Sequence, residues 1–343
     1  MGSRQSNIEL LRIVSMSFIL ILHFTQWAIG IDNMNPFLYQ ALIILNNCGV
    51  NLFIMISGYF GIKWSINSFV KLAGLIICFS LFCLFCGVFI FDLQFTAAKI
   101  IKYIFLPFTS TGYWFLQCYL GLYLIAPLLT KGLNCLNSIK FKQFLAFMTF
   151  VTVFSCWYGG NKLNADSYGI FHFMYIYVLG YGLKKITLPS LQCKSWFFIA
   201  VLFLFANIVL SYGFDFYYDN FYNRYSWGAA KAYDNPFIIC ASISIFIMFV
   251  KLNIGSIKFI NSIAGASLGC YLLQDGILRD NIYGLQRDYL IHNSAVKIIL
   301  MFSISFILFW IISYFIYLLY TLLFKYTERK IINTIPYVNN SFS

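Results

Sequence analysis

Two titratable side chains, Arg12 and His23, stand eleven residues apart in the first apolar segment of the chain. An α-helix turns by about 100° per residue, so this spacing brings both side chains to nearly the same face. The helical rise separates them by about 16 Å, roughly half the hydrocarbon thickness of a bilayer. We therefore expect Arg12 near one membrane boundary and His23 deep in the membrane, both facing the interior of a helix bundle.

The two residue types suggest a specific chemistry. A guanidinium binds phosphate or pyrophosphate in a bidentate manner, and an imidazole accepts a proton from a hydroxyl near neutral pH. Arg12 and His23 would therefore suit a long anionic donor that reaches from the cytosol into the membrane. In the alternative interpretation, Arg12 snorkels to lipid headgroups and His23 hydrogen-bonds a neighbouring helix. The spacing is compatible with both interpretations.

Other polar residues could complete a site around this pair. Glu9 stands one turn before the arginine and is expected to orient or neutralise it. In the second apolar segment, Asn51 and the run Ser57-Gly58-Tyr59 either line a pocket or provide interhelical hydrogen bonds and close packing at a small-residue site.

Two further polar regions lie towards the C-terminus. One contains Tyr271, Gln274 and Asp275, which would either border a polar cavity or make ordinary contacts within the bundle. Arg279 follows just outside this apolar segment, where the alternative is a solvated loop. The other is the aromatic segment 214–235, which could hold a sugar ring or form an interfacial belt.

The composition shows which solvent surrounds these residues. Apolar residues make up 61% of the 343 residues, and charged residues only 10%. A soluble protein carries roughly a quarter charged residues to cover its surface. The chain must therefore expose a large surface to lipid, which excludes nucleic-acid binding as the meaning of its +12 net charge. No His or Cys residues stand at metal-ligand spacing, so we expect no metal site.

Ten apolar segments are candidates for transmembrane helices. They are residues 8–30, 39–62, 72–91, 113–130, 141–158, 168–183, 195–213, 236–250, 259–278 and 296–324. With a cytoplasmic N-terminus, the inside segments hold most of the 23 Lys and Arg residues, but only Glu9 and Glu328 of the 11 acidic residues. The ten apolar segments predict an all-α membrane protein. Because basic loops favour the cytoplasmic side, their distribution also predicts the orientation of the chain. It would be a bundle of about ten transmembrane helices with both termini in the cytoplasm.

Several blocks of sequence, in order along the chain, resemble the acyltransferase-3 family of multi-pass membrane O-acyltransferases. The first block, residues 7–24, carries the Arg–ten residues–His pattern of that family as Arg12 and His23. The Ser-Gly-Tyr run of residues 51–63 and the Trp-Phe-Leu run that begins at Trp114 are similar to two further signatures. The remaining similar blocks are residues 173–185, 233–237 and 266–279.

This resemblance implies transfer of an acyl group, usually acetyl from acetyl-CoA, to a hydroxyl of a cell-surface or lipid-linked polysaccharide at the bacterial cytoplasmic membrane. His23 would be the general base or a transient acyl carrier, and Arg12 would bind the CoA phosphates. The expected residues of the acyl-CoA pocket are Glu9, Asn51, Ser57, Tyr59 and Trp114. The expected acceptor-side residues are Tyr271, Gln274, Asp275 and Arg279. The expected partners are acyl-CoA, a carbohydrate and membrane lipid.

The chain departs from the family pattern at one position. Many relatives have a histidine where this chain has Gln274, and an amide cannot act as a general base at neutral pH. Position 274 is therefore restricted to hydrogen bonding. We also expect a single domain, residues 1–343, with a core of 7–325 and a short cytoplasmic tail of 326–343. The additional SGNH-hydrolase-like domain of some relatives is not expected.

A transporter or flippase for a polysaccharide precursor or a related anion is the alternative function. It would also need about ten helices and a polar interior. The two classes differ in their products, because a transporter releases its substrate unchanged, whereas an acyltransferase consumes a thioester and leaves a free thiol.

Overall fold

The computed structural model describes residues 5–106, 113–153, 167–218, 230–290 and 295–334. Throughout these ranges the ordered elements are helices, which confirms the all-α fold class. In chain order they are α1 Ser6–His23, a π-helical turn Phe24–Ile29, a 3-10 turn Ile31–Asn33, α2 Pro36–Asn46, α3 Cys48–Phe60, α4 Ile66–Phe89, α5 Ala97–Phe105, α6 Trp114–Asn134, α7 Ser138–Phe150, α8 Ile170–Lys185, α9 Cys193–Tyr218, α10 Pro236–Lys251, α11 Lys258–Ala264, α12 Ser267–Gln274, α13 Arg279–Leu290 and α14 Ala295–Thr334.

Six of these helices are long and apolar enough to cross a membrane. They are Ser6–Ile29, Pro36–Phe60, Ile66–Phe89, Trp114–Asn134, Cys193–Gly213 and Val296–Phe324. The chain is therefore a multi-pass membrane protein. The count of ten spans and the cytoplasmic position of both termini stay predictions. The eighth predicted span is a helix of only 16 residues, Pro236–Lys251, and the ninth is interrupted around Gly265, between α11 and α12.

Local sequence explains where two of these helices begin. Asn35 and Asn235 each precede a proline, and each side chain accepts a hydrogen bond from a backbone N–H in the first turn. Asparagine is a strong N-cap, and proline at the first helical position needs no hydrogen-bond partner for its nitrogen. The block Tyr233–Phe237, one of those that suggested the family, therefore contains the start signal of α10.

Helix α1 lies at the centre of the bundle and packs against α2, α3, α10, α11 and α12. At its start, Ser6 donates to the side chain of Asn261, and Asn7 donates to the carbonyl oxygen of Phe249. The beginning of α1 therefore lies beside the end of α10 and the beginning of α11. This central position allows the buried face of α1 to border any space enclosed by the bundle.

Helices α3 and α8 cross at a pair of glycines. A Cβ atom added to Gly58 would collide with the carbonyl oxygen of Tyr177, and one added to Gly180 would collide with that of Met55. Backbones approach this closely only where a side chain is missing. The close-packing interpretation of the Ser57-Gly58-Tyr59 run is therefore confirmed for Gly58.

Candidate functional site

One face of α1 carries the predicted pair. Met16, Ile19 and His23 recur at helical spacing and line an internal cavity, and Arg12 stands one turn before Met16 on the same face. His23 is only 6% exposed and lies inside the bundle rather than towards lipid. The shared face predicted from the spacing is therefore present.

The arginine end of this face is partly open. Glu9 Oε2 accepts a hydrogen bond from Arg12 Nη1 at 2.8 Å, and the Arg12 side chain is 30% exposed. Arg12 also interacts electrostatically with Tyr119, whose hydroxyl lies 3.3 Å from Ser57 Oγ. Three predicted residues, Glu9, Arg12 and Ser57, are thus gathered near one level of the bundle. The Glu9 carboxylate contacts only Nη1 of Arg12. The other N–H groups of the guanidinium are therefore available to an anion.

The histidine end is buried and aromatic. Here the α-helix widens into a π-helical turn, and His23 stacks on Trp27 with ring centroids 4.2 Å apart. The Gln274 side chain lies near the imidazole. Its Nε2 donates to Met16 Sδ at 3.7 Å, and its Oε1 accepts from the Tyr283 hydroxyl at 3.3 Å. His23 Nδ1 is buried, and none of the described residues is a hydrogen-bond partner for it. Such π-helical turns are frequent at functional sites, because they shift the register of the side chains that follow.

The cavity beside His23 is small. Its volume is about 10 Å³, which is room for a single water-sized body. Its wall combines His23 with apolar and aromatic side chains of several helices, namely Met16, Ile19, Val50, Phe53, Trp114, Phe115, Tyr233, Leu268 and Tyr271. The cavity does not extend to Arg12. An open passage from the arginine to the histidine stays a prediction.

Predicted pocket residues take different positions relative to this wall. Trp114 is part of it and stacks on Tyr233 with ring centroids 5.9 Å apart. Asn51 lies behind the wall, where its Nδ2 donates to the carbonyl oxygen of Tyr233 at 2.9 Å. Its Oδ1 lies 2.8 Å from Nε2 of His172, which is fully buried. Asn51 therefore links a wall residue to a buried histidine of another helix.

Tyr59 is not brought to the cavity. Its ring packs on Phe246 at a centroid distance of 5.4 Å, and Lys184 Nζ lies 6.0 Å from the ring centroid. Cation–π contacts of this kind hold a lysine near an aromatic face. Tyr59 therefore belongs to a separate cluster near the ends of α3 and α8.

The predicted acceptor-side residues are close to the histidine end. Tyr271 is on the cavity wall, whereas Asp275 is 3% exposed and lies 3.5 Å from Arg279 Nη1. The Arg279 guanidinium carbon lies 4.7 Å from the centroid of the Trp27 ring. The four residues thus form one polar region above His23, but only Tyr271 among them borders the cavity.

Two residues of this region were missed in the sequence. Trp27 follows His23 by four residues on the same helix. Residues at this spacing are neighbours on a helix surface, so the sequence alone could have predicted that the two rings stack. Tyr283 reaches Gln274 from α13, and no short-range pattern announces that contact. Residues 219–229, half of the segment 214–235, lie outside the described residues, and the role of the segment with a sugar or as an interfacial belt stays a prediction.

The comparison with protein families agrees with this architecture. The family model described as an acyltransferase domain, that of the acyltransferase-3 family, matches residues 5–327. The chain belongs to the acyltransferase-3 family. The match covers nearly the whole chain, including Arg12, His23 and every other predicted site residue. No curated protein and no solved structure matches the chain.

Membership gives this acyltransferase a coarse function. An acyltransferase moves an acyl group from a donor to a nucleophile. The apolar wall around the cavity beside His23 excludes bulk water, which would otherwise compete as an acceptor.

Proposed function

We propose that this membrane acyltransferase transfers an acetyl group from cytosolic acetyl-CoA to a hydroxyl of a cell-surface or lipid-linked polysaccharide, in a bacterial cytoplasmic membrane. The observation that carries the proposal is the position of His23. Its imidazole borders a small cavity within the bundle, on the same helix face as Arg12 and about 16 Å away from it.

The donor approaches from the arginine end. CoA is long and anionic, so it needs a cation at the membrane boundary and a route for its thioester arm. Arg12 supplies the cation, and Glu9 keeps the guanidinium oriented at 2.8 Å. Ser57 and Tyr119 lie at the same level and offer hydroxyl groups beside the entering chain.

Transfer takes place at the histidine end. His23 accepts the proton of the acceptor hydroxyl while that oxygen attacks the thioester carbonyl carbon. The tetrahedral intermediate then collapses, the carbon–sulfur bond breaks, and the sulfur leaves with the proton held by the imidazole. The products are the acetyl ester and free CoA thiol. Gln274 orients the imidazole, because an amide can hydrogen-bond a histidine without competing for its proton.

The acceptor reaches the imidazole from the opposite end of the site. Trp27 and Arg279 cover His23 there, and the guanidinium lies 4.7 Å from the indole centroid. An aromatic face and a hydrogen-bonding cation are both suitable for holding a sugar ring.

A membrane assay tests the proposal. Membranes containing the protein are incubated with radiolabelled acetyl-CoA, and both the label in the glycan fraction and the released thiol are measured. We expect wild type to produce both in equal amounts and His23→Ala to lose at least 100-fold, because a general base contributes about 10²–10⁴-fold.

The matched control is the other buried histidine described here. His172→Gln changes a histidine that does not line the cavity, so transfer per folded molecule should stay within a few-fold of wild type. Unchanged transfer by a well-folded His23→Ala protein would remove the base assignment. Movement of a glycan across the membrane without any thiol release would instead favour the transporter.

A further inference from the structure

Three side chains of α13 converge on Trp27, the residue that stacks on His23. The Arg279 guanidinium carbon lies 4.7 Å from the indole centroid, and the Tyr283 ring meets the indole edge to face at a centroid distance of 5.4 Å. Arg287 Nε and Nη2 both donate to the carbonyl oxygen of Trp27, at 3.2 and 2.7 Å. Residues 279, 283 and 287 recur every four positions and therefore share one face of α13.

The end of the first membrane helix depends on these contacts. The π-helical turn Phe24–Ile29 is the last turn of that helix, and the final carbonyl groups of a helix have no partner within it. Gly30 N–H donates to the carbonyl oxygen of Thr25, and Arg287 donates to that of Trp27. A cation at this end also compensates the negative end of the helix dipole. Arg287 therefore fixes the backbone from which the indole projects.

His23 needs contacts of this kind to fix its ring. The torsion about the Cβ–Cγ bond of a histidine is broad, so neighbouring groups must set the plane of the imidazole. His23 Nδ1 has no hydrogen-bond partner among the described residues, so no hydrogen bond at that atom sets the plane. The Trp27 indole covers one face of the ring at a centroid distance of 4.2 Å and an interplanar angle of 29°. Stacking therefore limits the orientation of the imidazole, which still borders the cavity.

Helix α13 also contacts a second neighbour of the imidazole. Tyr283 is 1% exposed, and its hydroxyl donates to Gln274 Oε1 at 3.3 Å. The helix is itself anchored to α14, because Gln286 Nε2 donates to Ser305 Oγ at 2.9 Å. One helix thus connects two side chains beside His23 to the rest of the bundle.

We propose that Trp27 is a positioning residue that holds the His23 imidazole in its reactive orientation. Helix α13 clamps Trp27 there through the three side chains that converge on it. The catalytic part of this inference rests on the proposed function, in which His23 is the base. A displacement of about 1 Å at a reacting group can lower a rate by about 10²-fold, so loss of the clamp should lower kcat. Binding of acetyl-CoA at the arginine end should not change.

The clamp is tested by NMR of the full-length protein in detergent micelles with isotope-labelled histidine. The chain has three histidines, so the signal lost in His23→Ala identifies the His23 ring. A stacked indole shifts the imidazole ring protons upfield, and Trp27→Leu should abolish this shift. Arg287→Ala should reduce it, because the Trp27 carbonyl loses its donor. The control Asp288→Ala removes the neighbouring exposed charge and should leave the shift unchanged.

The catalytic role is tested in the membrane assay. Trp27→Leu should lower kcat by about 10–100-fold and leave KM for acetyl-CoA nearly unchanged. Trp27→Phe keeps a flat ring over the imidazole and should recover most of the rate. Both variants remove indole volume, so this recovery separates positioning of the ring from general packing. Adding Arg287→Ala to Trp27→Leu should cause little further loss, because the clamp acts through the indole.

The outcomes distinguish the inference from the proposed function. Absence of thiol release by wild type above the His23→Ala background overturns the proposed function and the catalytic role of Trp27, whereas the NMR result still decides the clamp. Normal transfer by wild type, with full kcat in Trp27→Leu or equal losses in Trp27→Leu and Trp27→Phe, overturns the positioning role alone. An unchanged His23 signal in Arg287→Ala overturns the clamp. If Trp27→Leu does not fold, Arg287→Ala replaces it, because that side chain is exposed, and full kcat there overturns the inference.

Discussion

Asn51 offers a sharp test of how the bundle holds the cavity wall. Its side chain joins two buried groups from other helices and loops, the carbonyl oxygen of Tyr233 at 2.9 Å and Nε2 of His172 at 2.8 Å. In Asn51→Ala both groups lose this partner, and within the described part of the chain His172 Nδ1 is already without a hydrogen bond. Each buried polar group left unsatisfied costs about 1–3 kcal/mol, so the expected loss is about 2–6 kcal/mol of unfolding free energy.

The control lies one helix earlier. Asn46 is also a buried asparagine, but its Nδ2 donates only to the carbonyl oxygen of Leu42 one turn before it. Asn46→Ala should therefore cost no more than about 1.5 kcal/mol, the net worth of one ordinary hydrogen bond. The two variants are compared by denaturant titration in detergent micelles. Equal losses in Asn51→Ala and Asn46→Ala would refute the idea that Asn51 secures the wall through two distant partners.

Three further predictions concern the packing, the polar region and the donor site. Gly58→Ala should destabilise the fold by about 1–3 kcal/mol, because the new methyl group would meet a backbone oxygen that no rotamer change can move. In the control Gly132→Ala the methyl group meets open space, so that variant should be neutral or stabilising. Thermal unfolding of the two variants checks this prediction. Arg279→Gln should lower stability by about 1–3 kcal/mol by leaving Asp275 buried without its cation, and the added change Asp275→Asn should recover most of the loss in a double-mutant cycle. Arg12→Lys should raise KM for acetyl-CoA more than it lowers kcat, because an ammonium keeps the positive charge but cannot bind a phosphate in a bidentate manner. Steady-state kinetics measure both constants, and a change in kcat alone would contradict the prediction.

The central pair shows what a local pattern can predict. Arg12 and His23 belong to one continuous helix, so their shared face follows from the number of residues per turn and needs no knowledge of the rest of the fold. The ion pair of Glu9 with Arg12 is likewise one turn of helix apart. The same holds for Trp27 beside His23, although that contact was missed.

The number of membrane-spanning helices could not be predicted from hydropathy alone. Hydropathy identified the apolar segments, but the segment 259–278 is divided into α11 and α12. Gly265 there packs against Tyr317, and Gly269 packs against Phe79 and Ser313 of two other helices. Whether such a broken segment crosses the membrane depends on partners that satisfy its backbone, and those partners lie far away in the sequence.

The sequence by itself determined the helical class, the lipid surroundings and the common face of Arg12 and His23, because these follow from composition and from helical periodicity. It also indicated the family, through blocks of similar sequence in the same order along the chain. Only the tertiary structure decided that Asn51 supports the cavity from behind, that Tyr59 lies elsewhere, and that Gln274 and Met16, which are 258 residues apart, meet beside the imidazole. These contacts depend on how helices cross, and the crossing is set by the simultaneous packing of many side chains, which no local spacing encodes.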